Sequence, residues 1–481
     1  MFPPSKTADS PARPTVLDRR EATVNRAGNS MPNLFARAAS LLLGEEPEKT
    51  AGRDVRHLLE ALGYATTAES PTHGGECTAD TLNRICLLKA ASRFTRVFEL
   101  AAPDAPGLVS FGAEFDPALA DPMHAGSARV GVSGVGLSPQ EAFQGCVGEG
   151  VEYLSQLQTG NDVLERAFVG DRAATLGPQG RDFLVAFSAH RLRPDAELSW
   201  HRATRLIDGR EVLLPADMCL RRPAAQQEVK PPFPLSAGSA AGKSWHAAAL
   251  HGLLELIERD AASLWWRGGQ RGGSIPPRHE AHLIAAEVLP PLRQNASPRR
   301  SWLLDITTDI GVPCVASLSC TADGFGFAFG LAARPTLAAA ARSAILEMCQ
   351  IELAHAVVEA KCRERGENAL NQRDRVHRRR ATMINTDHCV LLQPAGERPK
   401  HPGFGTTDPG AVLDRIVERL AQFGIETFSL DLTRPGLDVP VARVIAPGLQ
   451  LEPSELITPR LAEMIARTGG GVRYTGGVAL V

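Results

Sequence analysis

Three stretches of this sequence carry oxygen-bearing side chains three residues apart. They are EAFQGCVGEGVEYL with Glu149 and Glu152, AAALHGLLELIERD with Glu255 and Glu258, and LAAAARSAILEMCQIELA with Glu347 and Gln350. Residues three apart share one face of a helix, so each stretch aims two oxygen ligands the same way. The flanks are Ala, Gly, Leu and Ile, the mark of helices packed on all sides. A lone E-x-x-E is ordinarily a solvated helix face; the apolar flanks and the threefold recurrence argue against that here. Packed acids repel one another and take up protons unless a cation sits between them. Hard oxygen donors without His or Cys select Mg²⁺. Mg²⁺ held by a few carboxylates also binds a phosphate, so the residues alone point to a Mg–nucleotide site between helices. Arg259, four residues after Glu255, either pairs with it or reaches a phosphate oxygen.

The elements that must hold these residues are legible in outline. Residues 1–45 are rich in Pro, Ser, Ala and Arg and read as a flexible tail. Residues 46–100 read as a small helical and strand segment, and 101–481 as the main domain. DVRHLLEALGY (54–64) and TADTLNRICLLKAASRF (78–94) have helical spacing, the second capped by Thr78 or Asp80. RVFELA, GLVSFGAEF and FLVAFSAHRL (183–192) read as strands, and TRLIDGREVLLPADMCL as a hairpin turning at Asp208-Gly209. A Gly turn after ARVGVSGVGLS leads into a helix from Pro139. WLLDITTDIGVPCVASLSC and GFGFAFGLAA pair ahead of a helix at about 335–360. The charged RDRVHRRR is a solvated arm, or else a binder of nucleic acid or of an acidic leader peptide.

Bulk properties exclude several classes. The chain has 481 residues, 43% of them hydrophobic, with 52 Lys and Arg against 54 Asp and Glu. A net charge of −2 is not that of a nucleic-acid binder, and no apolar run is long enough to span a membrane. The first 30 residues hold no apolar secretory core. Nine scattered cysteines with no C-x-x-C pair read as reduced thiols in the cytoplasm rather than a zinc site. Cys349 reads as core, and His246 and His251 as packed or bridging residues.

Over roughly 100–460 the sequence resembles the YcaO family. The motifs that carry the resemblance are SAGSAAGKSW…ELIERDAASLWW, the strand DITTDIGVP (305–313) and the helix ILEMCQ (345–350). The resemblance implies an α/β (α+β) fold of mixed sheets and helices around an ATP site. It implies ATP and Mg²⁺ as cofactors, with Glu149, Glu152, Glu255, Glu258 and Glu347 as Mg²⁺–phosphate acids. Arg259, Gln350, Ser236 and Gly238 are then nucleotide contacts. It also implies activation of a peptide's backbone amide, giving azolines from Cys, Ser or Thr, or else thioamides. ILEMCQIELA resembles the azole-forming cyclodehydratases most. A precursor peptide, a separate leader-binding partner protein and a homodimer are the partners implied. The catalytic residues stay unassigned. A scaffold that binds nucleotide or partner without turnover is the alternative of a different class.

The sequence departs from the family pattern at four places. Val135 stands for a lysine, Ala237 for an asparagine, Ala247 for an acid and Tyr153 for an arginine. AGSAAGKS (237–244) also fits a loose phosphate-loop pattern. A true phosphate loop follows a buried strand, and the prolines of KPPFPLS argue against one. Lys243 is then a solvent lysine at a helix start.

Overall fold

The computed structural model describes residues 31–45, 52–64, 78–173, 194–295, 297–397, 403–454 and 456–480. The strand read over 183–192 lies outside them. Counting helices of eight or more residues, the order begins α1 (Met31–Leu42), α2 (Arg53–Ala61), α3 (Ala79–Ala91), β1 (Arg96–Glu99), β2 (Val109–Phe115), β3 (Val130–Gly136) and α4 (Pro139–Gln156). The middle holds β4 (Glu165–Phe168), β5 (Glu197–Arg205), β6 (Glu211–Pro215), β7 (Ser239–Ala241), α5 (Trp245–Trp266) and α6 (Glu280–Arg293). The rest is β8 (Arg300–Asp305), β9 (Cys314–Cys320), β10 (Ala328–Ala333), α7 (Leu337–Arg365), α8 (Gln372–Met383), α9 (Pro409–Gln422), β11 (Phe428–Asp431), β12 (Val441–Ile445) and α10 (Pro459–Thr468).

Among the described residues three antiparallel sheets are present, in the mixed α/β architecture expected. One has the order β1-β2-β3, a second β10-β9-β8, and the third β4-β5-β11-β12-β7 with β6 beside β5. An edge strand of each sheet leads into one acid-bearing helix: β3 into α4, β7 into α5, and β10 into α7. Each of these helices starts on a hydroxyl cap. Ser138 accepts from Glu141 N–H, Ser244 from Ala247 N–H, and Thr336 from Ala339 N–H. Pro139 sits in the first turn of α4, where its missing N–H costs nothing. The hairpin at Asp208-Gly209 joins β5 and β6, with Gly209 at φ +70°.

The core corrects two boundaries. The tail expected to run to residue 45 ends earlier, because Met31–Leu42 is a helix whose Leu34, Phe35, Ala38 and Ala39 are buried in the main core. Those four follow helical spacing within a Pro- and Arg-rich context that masks it. The boundary expected at 100 falls inside the first sheet, since β1 pairs with β2 from Arg96↔Glu114 to Glu99↔Phe111. One buried cluster extends from Leu34 to Leu480 and includes most of α5. That helix touches β7, β10, β12 and α9, which is why nearly every face of it is apolar. Capping by Thr78 is as read. The phosphate-loop reading of 237–244 fails: Ser239–Ala241 is a strand, and Ser244 uses its own hydroxyl to cap α5. Lys243 pairs on the surface with Asp80 at 2.7 Å.

Candidate nucleotide and metal site

All five acids lie where three helices meet three sheet edges, and each is held by a backbone amide. Glu149 accepts from Ser133 N–H at 3.0 Å, Glu255 from Gly238 N–H at 3.0 Å and Glu347 from Leu331 N–H at 2.8 Å. Each of these donors lies on or beside the strand that leads into the acid's own helix. The second member of each pair reaches the next sheet instead. Glu152 accepts from Ala241 N–H of β7 at 2.8 Å, and Glu258 from Ala333 N–H of β10 at 3.3 Å. Gln350 donates to Ser133 Oγ of β3 at 2.9 Å, returning to the first sheet. From Ser138 to Glu149, Ser244 to Glu255 and Thr336 to Glu347 the spacing is eleven residues each time. So the cap places the acid at the same height on all three helices.

The hollow these side chains line is reached by solvent and enclosed by protein. Glu149 is exposed, Glu152, Glu255, Glu347, Arg259 and Gln350 are half-buried, and Glu258 is buried. Crowding by protein pushes the Glu152 and Glu258 carboxyls up to about 8. Glu149 and Glu347 are raised too, with desolvation again the main cause. The charge of Glu255 is felt by Glu149, Glu152, Glu258 and Glu347 alike, which makes it the common member of the set.

The cations are unevenly placed. Arg259 stands 3.5 Å from Glu255 and lowers the neighbouring Glu258 and Glu347. Arg334, just after β10, acts on the same two acids. Among the described residues, Arg373 at the exposed start of α8 acts on Glu149. His251, one turn before Glu255, keeps an edge in solvent; crowding by the surrounding protein, then Arg334, lowers its pKa. Sequence reasoning passed over Arg334, Arg373, Ser133 and the exposure of His251. Its one usable signal for Arg334 was the place two residues before the α7 cap, where β10 leads into the acid helix.

The arrangement fits Mg²⁺ with a nucleotide better than Mg²⁺ alone. Each acid commits one oxygen to a backbone N–H. Among the described residues no hydrogen bond reaches the other oxygen of Glu149, Glu152, Glu258 or Glu347. Yet no three His, Cys, Asp or Glu side chains among the described residues converge closely enough to cage a metal ion. Mg²⁺ bound through one or two carboxylates takes its remaining ligands from phosphate and water.

The other expected contacts are placed as follows. Gly238 has φ +83°, and a Cβ there would meet Val444 O at 2.3 Å, so only glycine brings this amide to Glu255. Ser236 is exposed in the same turn, and Ala237 is buried. Arg443 pins this turn from below. It is fully buried and donates to Ser239 Oγ at 3.0 Å and to the carbonyls of Leu235 and Met218. Val135 packs with the apolar cluster of α6 and α7. The ring of Tyr153 is covered by the Arg221 guanidinium at 4.6 Å. Ala247 gives its N–H to the α5 cap. Cys349 is buried with its thiol pushed up to about 12, which suits core and not a nucleophile. None of the eight cysteines described is in a disulfide.

Comparison with known proteins agrees with this picture. Residues 133–450 match the model of the YcaO cyclodehydratase family, described as ATP- and Mg²⁺-binding. An uncharacterized protein in the tfuA 3′ region of Rhizobium leguminosarum bv. trifolii is 28% identical over 232 residues, 45% of this chain and 53% of its own length. A heterocyclase in complex with substrate and cofactor superposes with a TM-score of 0.64 at 22% identity, over 83% of this chain and 56% of that one. The YcaO protein of Methanopyrus kandleri, bound with AMPPCP and Mg²⁺, gives a TM-score of 0.54 at 19% identity over 78% and 91%. The chain thus spans about half the length of that curated relative and of that heterocyclase. The fold is shared with both structures, and the family match runs from Ser133, the residue that holds Glu149, to Gln450 beyond the last strand: this chain belongs to the YcaO family, whose domain binds ATP and Mg²⁺.

Proposed function

We propose that this chain uses Mg–ATP to activate backbone amides of a peptide, closing Cys, Ser or Thr side chains onto them to form azolines. The observation behind this reading is the set of five amide-held glutamates, four with an oxygen left for a cation, with Arg259 and Arg334 among them. The glutamates would supply Mg²⁺ with one or two carboxylates per ion, phosphate and water filling the remaining positions, while Arg259 and Arg334 would take phosphate oxygens. Bound Mg–ATP supplies the electrophilic phosphorus that a weakly nucleophilic amide oxygen needs. The protein's share is positioning and charge: fixed carboxylates that need no reorganisation, and guanidiniums aimed at charge that builds on phosphate. Gln350, tied to Ser133, adds a polar wall beside Glu149.

A precursor peptide, a separate leader-binding partner protein, a homodimer and a cytoplasmic setting belong to the same proposal. Among the described residues no helix is long and apolar enough to cross a membrane. A floppy core peptide gains from tethering, since a leader held by a partner raises its effective concentration to roughly millimolar.

The test is mass spectrometry and phosphate release with the full chain, Mg–ATP, a Cys/Ser/Thr-rich precursor and its leader-binding partner. Loss of about 18 Da per ring with peptide-dependent phosphate release supports azoline formation. A gain of about 16 Da assigns thioamide chemistry instead. Nucleotide binding without peptide-dependent turnover makes the chain a scaffold.

A further inference from the structure

Helix α8 carries five arginines and one acid in a chain whose net charge is −2. It is docked rather than a free arm. Arg380 is buried against the ring of Phe329 at 4.6 Å and donates to Leu480 O, and Lys361 of α7 holds Asp374 at 2.6 Å. Arg378 is neutralised by Glu359 and Glu367 at 3.3 and 2.6 Å. That leaves Arg373, Arg375 and Arg379 exposed, with no carboxylate within ion-pair distance among the described residues. Arg375 and Arg379 stand four apart, so like charges face each other on the outer side of the helix. Such a pair opposes the helix, and no carboxylate among the described residues offsets it. An interface that supplies negative charge would.

Two features give this face a direction. Helix α8 packs against α7, the helix that carries Glu347 and Gln350 of the acid site. A cleft of about 460 Å³ opens between α7 and α8; Phe325, Val358 and Ala381 give it an apolar patch, and the ion-paired Arg299 and Arg378 line it together with Asp323 and Glu359. An apolar patch beside the exposed arginines of α8 has the make-up of a peptide-docking surface.

We propose that the outer face of α8, with the cleft it shares with α7, docks an acidic stretch of the peptide on which this chain acts. An apolar side chain of that stretch enters the cleft beside Phe325, its carboxylates meet Arg375 and Arg379, and the chain runs on past Arg373 to the acid site. This rests on the peptide-modifying reading above.

The test is fluorescence anisotropy on the full chain with a fluorescein-labelled peptide of Glu, Asp and Leu. Controls are an amide-substituted peptide of Gln, Asn and Leu and a single-stranded RNA of similar length. The acidic probe should bind more tightly than both controls and weaken steeply with added salt. The double variant Arg375→Gln/Arg379→Gln should lose roughly five- to tenfold in affinity for it, as expected for two exposed charge contacts. AMPPCP–Mg²⁺ affinity should be unchanged in that variant, which also serves as the check on folding. Equal binding of acidic and amide probes, or an unchanged affinity in the variant, overturns the proposal. Tighter binding of the RNA reassigns the face to nucleic acid and overturns it as well. If the wild-type chain binds the acidic probe as described but fails to bind AMPPCP–Mg²⁺, the docking site stands and the nucleotide reading falls.

Discussion

Gln350 and Glu149 meet on one residue: Gln350 donates to Ser133 Oγ at 2.9 Å, while Ser133 N–H holds Glu149 at 3.0 Å. The third helix is thereby tied to the strand that feeds the first. With Glu152 on β7 and Glu258 on β10, the contacts close a ring of three sheet–helix units. No unit can shift without displacing a site side chain of its neighbour, Glu152, Glu258 or Gln350.

Glu255 is the acid that all the others feel, so Glu255→Gln should cost the most. We expect AMPPCP–Mg²⁺ binding by calorimetry to fall by roughly a hundredfold or more, the scale of losing a charged ligand. The apo protein should melt no lower than the wild type, because the substitution also relieves repulsion. Unchanged nucleotide affinity would remove Glu255 from the site.

Lys243→Ala should leave nucleotide affinity intact. Its amine pairs with Asp80 on the surface, an arrangement worth little in water. A hundredfold loss of affinity would revive the phosphate-loop reading of residues 237–244.

Arg443→Met should lower stability by about 2–3 kcal/mol, measured by urea unfolding, since buried carbonyls of the turn lose their donor. Nucleotide affinity should fall with it, because Gly238 N–H then no longer fixes Glu255. Arg443→Lys should rescue poorly: an ammonium cannot span Met218 O, Leu235 O and Ser239 Oγ together. Full rescue by lysine would show that only the charge matters there.

Acid should loosen the contact between α7 and α8. Burial, then Arg380, holds His355 at about 3, and burial, then Arg380 and Arg373, holds His377 at about 4. Arg299 faces His355 from a third element, and Asp374 opposes the shift at His377. Below the ordinary histidine value of about 6.5 the unfolded chain binds protons that the folded chain refuses. Stability is therefore present above that pH and is lost as pH falls from there towards 4. The urea midpoint should drop between about pH 7.5 and about pH 5, and drop less in His355→Gln. Equal drops in both proteins would exclude His355 as the cause.

The acids themselves were legible in the sequence, because an i, i+3 spacing inside apolar flanks has a short list of physical meanings. Their caps, Ser138, Ser244 and Thr336, were not read, although a hydroxyl residue just before a helical run is a usual N-cap. The holders of the acids were not legible. Glu152 and Glu258 take amides 89 and 75 residues away, and a backbone N–H carries no side-chain signature. Arg443 sits in VPVARVIAP, which reads as a strand; its burial depends on carbonyls from two distant loops. The basic helix was read as a solvated arm because the anchor, Arg380, is chemically identical to the arginines around it. Only the ring of Phe329 and the carbonyl of Leu480 set it apart.

The strand β7 has a single neighbour, β12, and carries the amide that Glu152 needs. During synthesis the ribosome delivers β7 some two hundred residues before β12 (Val441–Ile445) exists to pair with it. A nascent chain stopped after α7 but short of β12 therefore has its acid helices but not a finished hollow. Nucleotide capture would report that translation has passed β12, and products stopped between α7 and β12 would accumulate as proteins with all five glutamates and no grip on ATP.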